Sequence, residues 1–276
     1  MLQITKEDIK SALHNLGVEE GSLLGVHSSL SSLGYVVGGT NAVLDALFET
    51  VGHTGTIAMS TYLLSRPIDL THDDISKGIT WKVKRLAFDD LSSPSGMGVI
   101  ADTFRQRRDV VRWYHPFHSV TAWGKNADMF CQSFKPLVNA GGRILLLGVQ
   151  MDRCSTLHIA EERVQLPEEI RKLMKWEIPE ELLDIYPQKE WLIGCEGAWG
   201  DFLIVQEEAE KLGLVKKGII GSATIRLFEA RPVVNLYEQL LKKDPYRMFG
   251  LKEKKPPSTD SPRTLNTRAV GYRGSD

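Results

Sequence analysis

The chain alternates between apolar runs of two kinds. Ile9, Leu13 and Leu16 recur at helical spacing behind Thr5, a candidate N-cap with Asp8 three residues on, and Gly17 can end the helix. Leu23 to His27 (LLGVH) is a short apolar run that predicts a buried strand. A polar stretch, Ser28-Ser29-Leu30-Ser31-Ser32-Leu33-Gly34, follows, and then Gly38-Gly39-Thr40. From Thr40, the spacing of Val43, Leu44, Leu47 and Val51 predicts a second helix, and Gly55 to Met59 the next strand. Helix, strand, Gly/Ser loop, helix, strand is the order of a parallel βαβ unit with a right-handed crossover. The polar loop then lies at a strand's carboxyl end, where open α/β sheets bind ligands.

Tyr62 to Leu91 is polar and irregular and reads as a long loop. Met97 to Arg107 has a helix pattern, Val120 to Trp123 a short strand pattern, and Ile144 to Val149 (ILLLGV) is the clearest buried strand. Thr156 to Arg163 reads as a helix start, and Arg171 to Lys175 as a basic helical patch. Asp201 to Leu212 predicts a helix closed by Gly213, and Gly218 to Phe228 a strand-like region with tight glycine turns. Ala230 to Lys243 is a final helix carrying Val233, Val234, Leu236, Leu240 and Leu241. From Lys254 the sequence turns to Pro, Ser, Thr and charge without periodicity. The expected organisation is one domain over 1–253 and a flexible tail over 254–276.

The chain has 276 residues, 42% hydrophobic and 25% charged, enough to bury a sizeable core. A net charge of -1 leaves no electrostatic footprint for nucleic acid or an anionic membrane, so neither is expected as a partner. Cys131, Cys154 and Cys195 form no CxxC or zinc spacing and suggest reduced thiols. The first residues lack a basic segment followed by an apolar run, and no apolar stretch is long enough to span a bilayer. The expectation is a cytoplasmic protein, monomer or homodimer.

Four constellations could carry chemistry. Backbone N–H groups and hydroxyls in the serine loop suit an anion such as a pyrophosphate, although the loop could equally be a polar turn. In Thr156-Leu157-His158-Ile159-Ala160-Glu161, residues three apart share a helix face, so His158 and Glu161 can point into one cleft. A carboxylate beside an imidazole orients it as a base near neutral pH; the alternative is a surface ion pair. His115 and His118, in Tyr114-His115-Pro116-Phe117-His118-Ser119, could join His158 around a metal, but no carboxylate or cysteine completes a recognisable site, so no metal is expected. Cys154 could be a nucleophile paired with His158, although it lies only four residues away.

Taken in order, these segments resemble the aminoglycoside 3-N-acetyltransferase (antibiotic N-acetyltransferase) family. The resemblance starts at His27-Ser28-Ser29-Leu30-Ser31-Ser32-Leu33-Gly34 and Val37-Gly38-Gly39. It continues through Gly55-Thr56 with Met59, Ser93-Pro94 with Met97-Gly98, and His115-Pro116 with Ser119 and Ala122-Trp123-Gly124. Leu145-Leu146-Leu147-Gly148, Thr156 with His158 to Glu161, Val215 with Gly218, Gly221-Ser222-Ala223 and Arg226-Leu227-Phe228 complete it. The chain departs from the family pattern at Met59-Ser60-Thr61, in the acidic stretch before Ser93, and in the short segment Phe130 to Ala140, all on the acceptor side.

The resemblance implies a three-layer α/β/α sandwich, distinct from the GNAT acetyltransferases, which with the βαβ reading gives a largely parallel central sheet. It implies acetyl transfer from acetyl-CoA to an amino group of an aminoglycoside, a small-molecule substrate, at the 3-amino position by family, with His158 as catalytic base and Glu161 as its acidic partner. His27, Ser28, Ser29, Leu30, Ser31 and Ser32 would hold the CoA pyrophosphate, with Met97, His115 and Ser119 also on the cofactor side. Direct transfer in a ternary complex is expected. The alternatives are the same chemistry on a non-aminoglycoside amine, a non-catalytic CoA-binding protein, and a hydrolase using Cys154.

Overall fold

The computed structural model describes residues 3–63, 65–72, 82–86, 94–113, 118–174, 191–194 and 199–251, with 65–68, 82–86, 172–173 and 191–194 as backbone. The proposed tail, Cys195 and His115 lie outside the described residues. The elements in chain order are β1 (Gln3–Ile4), α1 (Lys6–Leu16), β2 (Leu23–Ser28), α2 (Leu30–Leu33), β3 (Tyr35–Val36), α3 (Gly39–Val51) and β4 (Thr56–Ser60). Then come β5 (Ser65–Ile68), β6 (Lys82–Leu86), α4 (Val99–Phe104), β7 (Val110–Arg112), β8 (Val120–Gly124), α5 (Ala127–Phe130), α6 (Phe134–Asn139) and β9 (Arg143–Leu147). The chain continues with α7 (His158–Arg163), α8 (Glu168–Met174), β10 (Trp191–Gly194), α9 (Phe202–Lys211), β11 (Val215–Ile220), β12 (Ala223–Glu229), α10 (Ala230–Lys243) and α11 (Pro245–Met248).

Local chemistry sets the element ends. Thr5 and Asp8 form a full capping box on α1, each side chain bonded to the other's backbone N–H, and Gly17 closes the helix at φ 92. Such a cap stabilises a helix by about 1 kcal/mol. Ile9, Leu13 and Leu16 are its buried stripe. Asp201 caps α9 by accepting from Leu203 N–H.

A seven-stranded sheet in the order β11-β12-β9-β2-β4-β8-β7 forms the middle layer. Its strands alternate between two cores, as period-two side chains must. Ile144 and Leu146 of β9 join the core under α6, α7, α9 and α10. Leu145 and Leu147 join the opposite core under α1, α3 and α4. All four leucine and isoleucine side chains are fully buried, worth about 1.5–3 kcal/mol each. Helices therefore cover both faces, and the expected α/β/α sandwich is what the chain forms.

The sheet is less parallel than expected. Only β9-β2-β4 run parallel; β12 on β9, β11 on β12, β8 on β4 and β7 on β8 are antiparallel. The βαβ reading correctly identified the centre, since α3 carries the chain from β2 to β4. The rim follows other rules. The short Gly221-Ser222 turn joins β11 to β12, and a turn that short can join only antiparallel strands.

Tyr62 to Leu91 is not one long loop. It contains β5 and β6, which pair antiparallel in a separate three-stranded sheet completed by β10. Their polar sequences, SRPI and KVKRL, lack an apolar alternation to reveal them, and the partner β10 lies far along the chain. Pro67 is tolerated because β5 is an edge strand.

Candidate active site

The carboxyl ends of the three parallel strands bring the chemistry to one rim of the sheet. Beyond β2 comes the serine loop, beyond β4 the pair Ser60-Thr61, and beyond β9 the turns that lead into α7. Ser29 N–H donates to Leu147 O at 3.0 Å, tying the serine loop to the end of β9. Gly148 follows there at φ 73, and a Cβ on it would come within 2.9 Å of Ser32 Cβ. A side chain at that position would push the loop away. Ser60 Oγ and Ser155 Oγ share a 2.8 Å hydrogen bond that joins β4 to the turn ahead of His158.

Two 3-10 turns, Met151–Arg153 and Ser155–Leu157, precede α7 and swing His158 to the helix start. His158 Nδ1 lies 2.7 Å from Glu161 Oε2. The two side chains differ sharply in exposure, 42% for His158 and 3% for Glu161. A carboxylate taken out of water needs compensating donors, and Glu161 has them. Its Oε1 accepts from Gly200 N–H at 2.8 Å and from Tyr237 O–H at 2.7 Å. Burial, and then the Glu161 charge, raise the Tyr237 phenol above its ordinary value, so it stays a proton donor.

An ionised carboxylate can only accept. Nδ1 of neutral His158 therefore carries the proton toward Glu161, and Nε2 keeps its lone pair. Phe202 packs edge-on against the imidazole at 5.0 Å between centroids, and Trp199 stands at 6.3 Å. The result is an imidazole fixed from beneath by a buried anion, flanked by aromatic rings and half open to solvent. Such an imidazole is able to accept a proton at Nε2.

Other expected site residues fall in varied places. The hydroxyls of Ser29, Ser31 and Ser32 bond to one another, Ser29 to Ser31 at 3.1 Å and Ser32 to Ser29 at 2.9 Å. Ser31 and Ser32 are exposed, while Ser28, Ser29 and Leu30 are half-buried. Met97 packs partly buried against the α3 side of the core, and its N–H donates to Ser95 Oγ at 3.1 Å. His27 is buried against Phe134, with ring centroids 5.5 Å apart. Burial pushes its imidazole down to about 4, so it carries no charge to offer an anion near neutrality. Ser119 is fully buried; its hydroxyl accepts from Arg112 and donates to Thr61 O at 2.7 Å. The side chains of His27 and Ser119 thus face the interior.

His118 is exposed, its ring tilted against Tyr62 with centroids 4.8 Å apart. Among the described residues no group of three or more His, Cys, Asp or Glu could hold a metal ion. Cys154 is completely buried, which pushes its thiol up to about 12. A neutral, enclosed thiol is a poor nucleophile, which argues against the Cys154 hydrolase.

Sequence reasoning missed Tyr237, Gly200, Ser60, Ser155 and the two aromatic neighbours. A signal for Tyr237 was present. It continues the Val233 and Val234 face of α10, all buried with Leu241, and a buried phenol demands a hydrogen-bond partner.

The same fold is found in solved acetyltransferases. The YokD protein from Bacillus subtilis superimposes with a TM-score of 0.67 at 28% identity, over 90% of this chain and 96% of that one. The structure described as AAC-IIIb binary with CoASH gives 0.68 at 22% identity, over 92% and 100%. By class the chain is an acyltransferase. A family model for aminoglycoside 3-N-acetyltransferase matches residues 26–242, and the chain belongs to that family. Among curated relatives, the SPbeta prophage-derived aminoglycoside N(3')-acetyltransferase-like protein YokD of Bacillus subtilis (strain 168) is 30% identical over 85% of this chain and 91% of its own length. Aminoglycoside N(3)-acetyltransferase III of Serratia marcescens is 29% identical over 84% and 94%.

Proposed function

We propose that this chain transfers acetyl from acetyl-CoA directly to the 3-amino group of an aminoglycoside, with His158 as the general base. The observation that carries the reading is the pair itself, a half-exposed imidazole 2.7 Å from a carboxylate with 3% exposure. Family membership and the CoASH-bound structure of similar fold support acetyl-CoA as donor. The names of the relatives support an aminoglycoside as acceptor.

An amine is protonated at neutral pH and cannot attack a thioester until a base takes its proton. His158 Nε2 takes it, directly or through water, and Glu161 steadies the imidazolium that results. The amine nitrogen forms the C–N bond at the acetyl carbonyl and the C–S bond breaks. The thioester supplies an activated acetyl group and a stable thiolate leaving group. Ser28, Ser29, Leu30, Ser31 and Ser32 would face the CoA phosphates through hydroxyls and backbone. Met97 and His115 would line the cofactor side, while Ser119 and His27 support the strands beneath.

Thiol release from acetyl-CoA, followed with a panel of aminoglycosides and simple polyamines, tests the reading, and product NMR locates the acetyl group. His158→Ala should lose most turnover while CoA still binds. Near-wild-type turnover in that variant would overturn the base assignment. The second reading, another amine as acceptor, rests on the departure from the family pattern at Met59-Ser60-Thr61. Polyamine-selective release would support it.

A further inference from the structure

We infer that Tyr237 is a positioning residue of this site: with Gly200 N–H it fixes the Glu161 carboxylate, and thereby decides which nitrogen of His158 is basic. The inference rests on His158 being the base.

Glu161 has two oxygens with separate duties. Oε2 meets His158 Nδ1 at 2.7 Å. Oε1 takes both Tyr237 O–H at 2.7 Å and Gly200 N–H at 2.8 Å. Two donors on one oxygen set the rotation of the carboxylate plane and leave the other oxygen turned to the ring. An ionised Glu161 holds the proton on Nδ1, so Nε2 remains the open base. A protonated or rotated Glu161 would leave that choice undecided.

The geometry around the pair is built for this contact. Tyr237 is fully buried on α10, and its ring packs edge-on against Phe202 at 5.5 Å between centroids. Phe202 in turn packs on His158. Position 200 must be glycine, since a Cβ there would overlap the Tyr237 hydroxyl and come within 3.3 Å of Glu161 Oε1. The titratable groups at this cluster include His158 and Glu161 on α7 and Asp201 before α9. Asp201 also acts on the Tyr237 phenol. Glu162 and Arg163, also on α7, are exposed.

The test is Tyr237→Phe, which keeps the ring and removes only the oxygen. Losing a hydrogen bond to a charged group should lower kcat by about 10- to 100-fold, with the KM for acetyl-CoA unchanged. In a His158→Ala background, Tyr237→Phe should cause no further loss, because the tyrosine acts only through the histidine. If Tyr237→Phe lowers Tm but leaves kcat at the wild-type value while His158→Ala abolishes turnover, the tyrosine is merely structural and the inference falls. If His158→Ala itself retains turnover, the base assignment falls instead.

Discussion

Gly200 and Tyr237 are so close that a methyl group on the glycine would overlap the tyrosine hydroxyl oxygen. Packing and hydrogen bonding therefore constrain the same few atoms. Gly200→Ala should destabilise the fold by about 1–3 kcal/mol through overpacking and lower turnover, because the phenol must leave Glu161. Adding Tyr237→Phe removes the clashing oxygen and should recover most of the lost Tm without recovering kcat. Thermal denaturation and thiol-release assays on the two variants check this.

His27 should make the protein acid-sensitive. Its imidazole titrates near 4 when folded and about 6.5 when unfolded. The unfolded chain then binds more protons between those values, so stability is full above about 6.5 and falls as pH drops toward about 4, by up to about 3 kcal/mol. His27→Gln should flatten that part of the urea-denaturation profile. A parallel loss in the variant would place the acid sensitivity elsewhere.

Cys154 should be inert in the native state. Alkylation at pH 8 with peptide mapping is expected to leave it unlabelled until denaturant is added, given a thiol pushed to about 12. Cys154→Ala should keep kcat near wild type. A large loss of kcat with unchanged Tm would restore the thiol as a participant.

Arg112 is a structural cation. It is buried and donates to Thr61 O at 2.7 Å and to Ser119 Oγ at 3.0 Å, joining the edge strand β7 to the end of β4. Arg112→Met should cost about 2–4 kcal/mol by stranding those acceptors. Arg112→Lys should recover only part of it, because a point charge cannot reproduce the guanidinium fork. Chemical denaturation checks both.

The sequence was most informative where one face of an element is buried and its ends are capped. The α1 box at Thr5 and Asp8, the β2–α3–β4 unit and α10 over Ala230–Lys243 all emerged from spacing alone. The His158 and Glu161 pair was legible because its spacing lies within one helical turn. Its supports were not: the α10 spacing marks Tyr237 as buried but not as a partner of Glu161, and Gly200 reaches Glu161 across a long stretch of chain that leaves no periodic trace. The polar strands β5 and β6 were hidden for the same reason, their partner β10 being distant. The direction of the outer strands needed turn geometry that apolar runs do not encode.

The anchoring of Glu161 also bears on when the chain becomes active. Its donors come from residue 200 and from the final long helix, so a chain emerging from the ribosome carries His158 well before it carries the groups that orient it. His158 therefore cannot take its final setting before residue 237 has been made and has packed against Glu161.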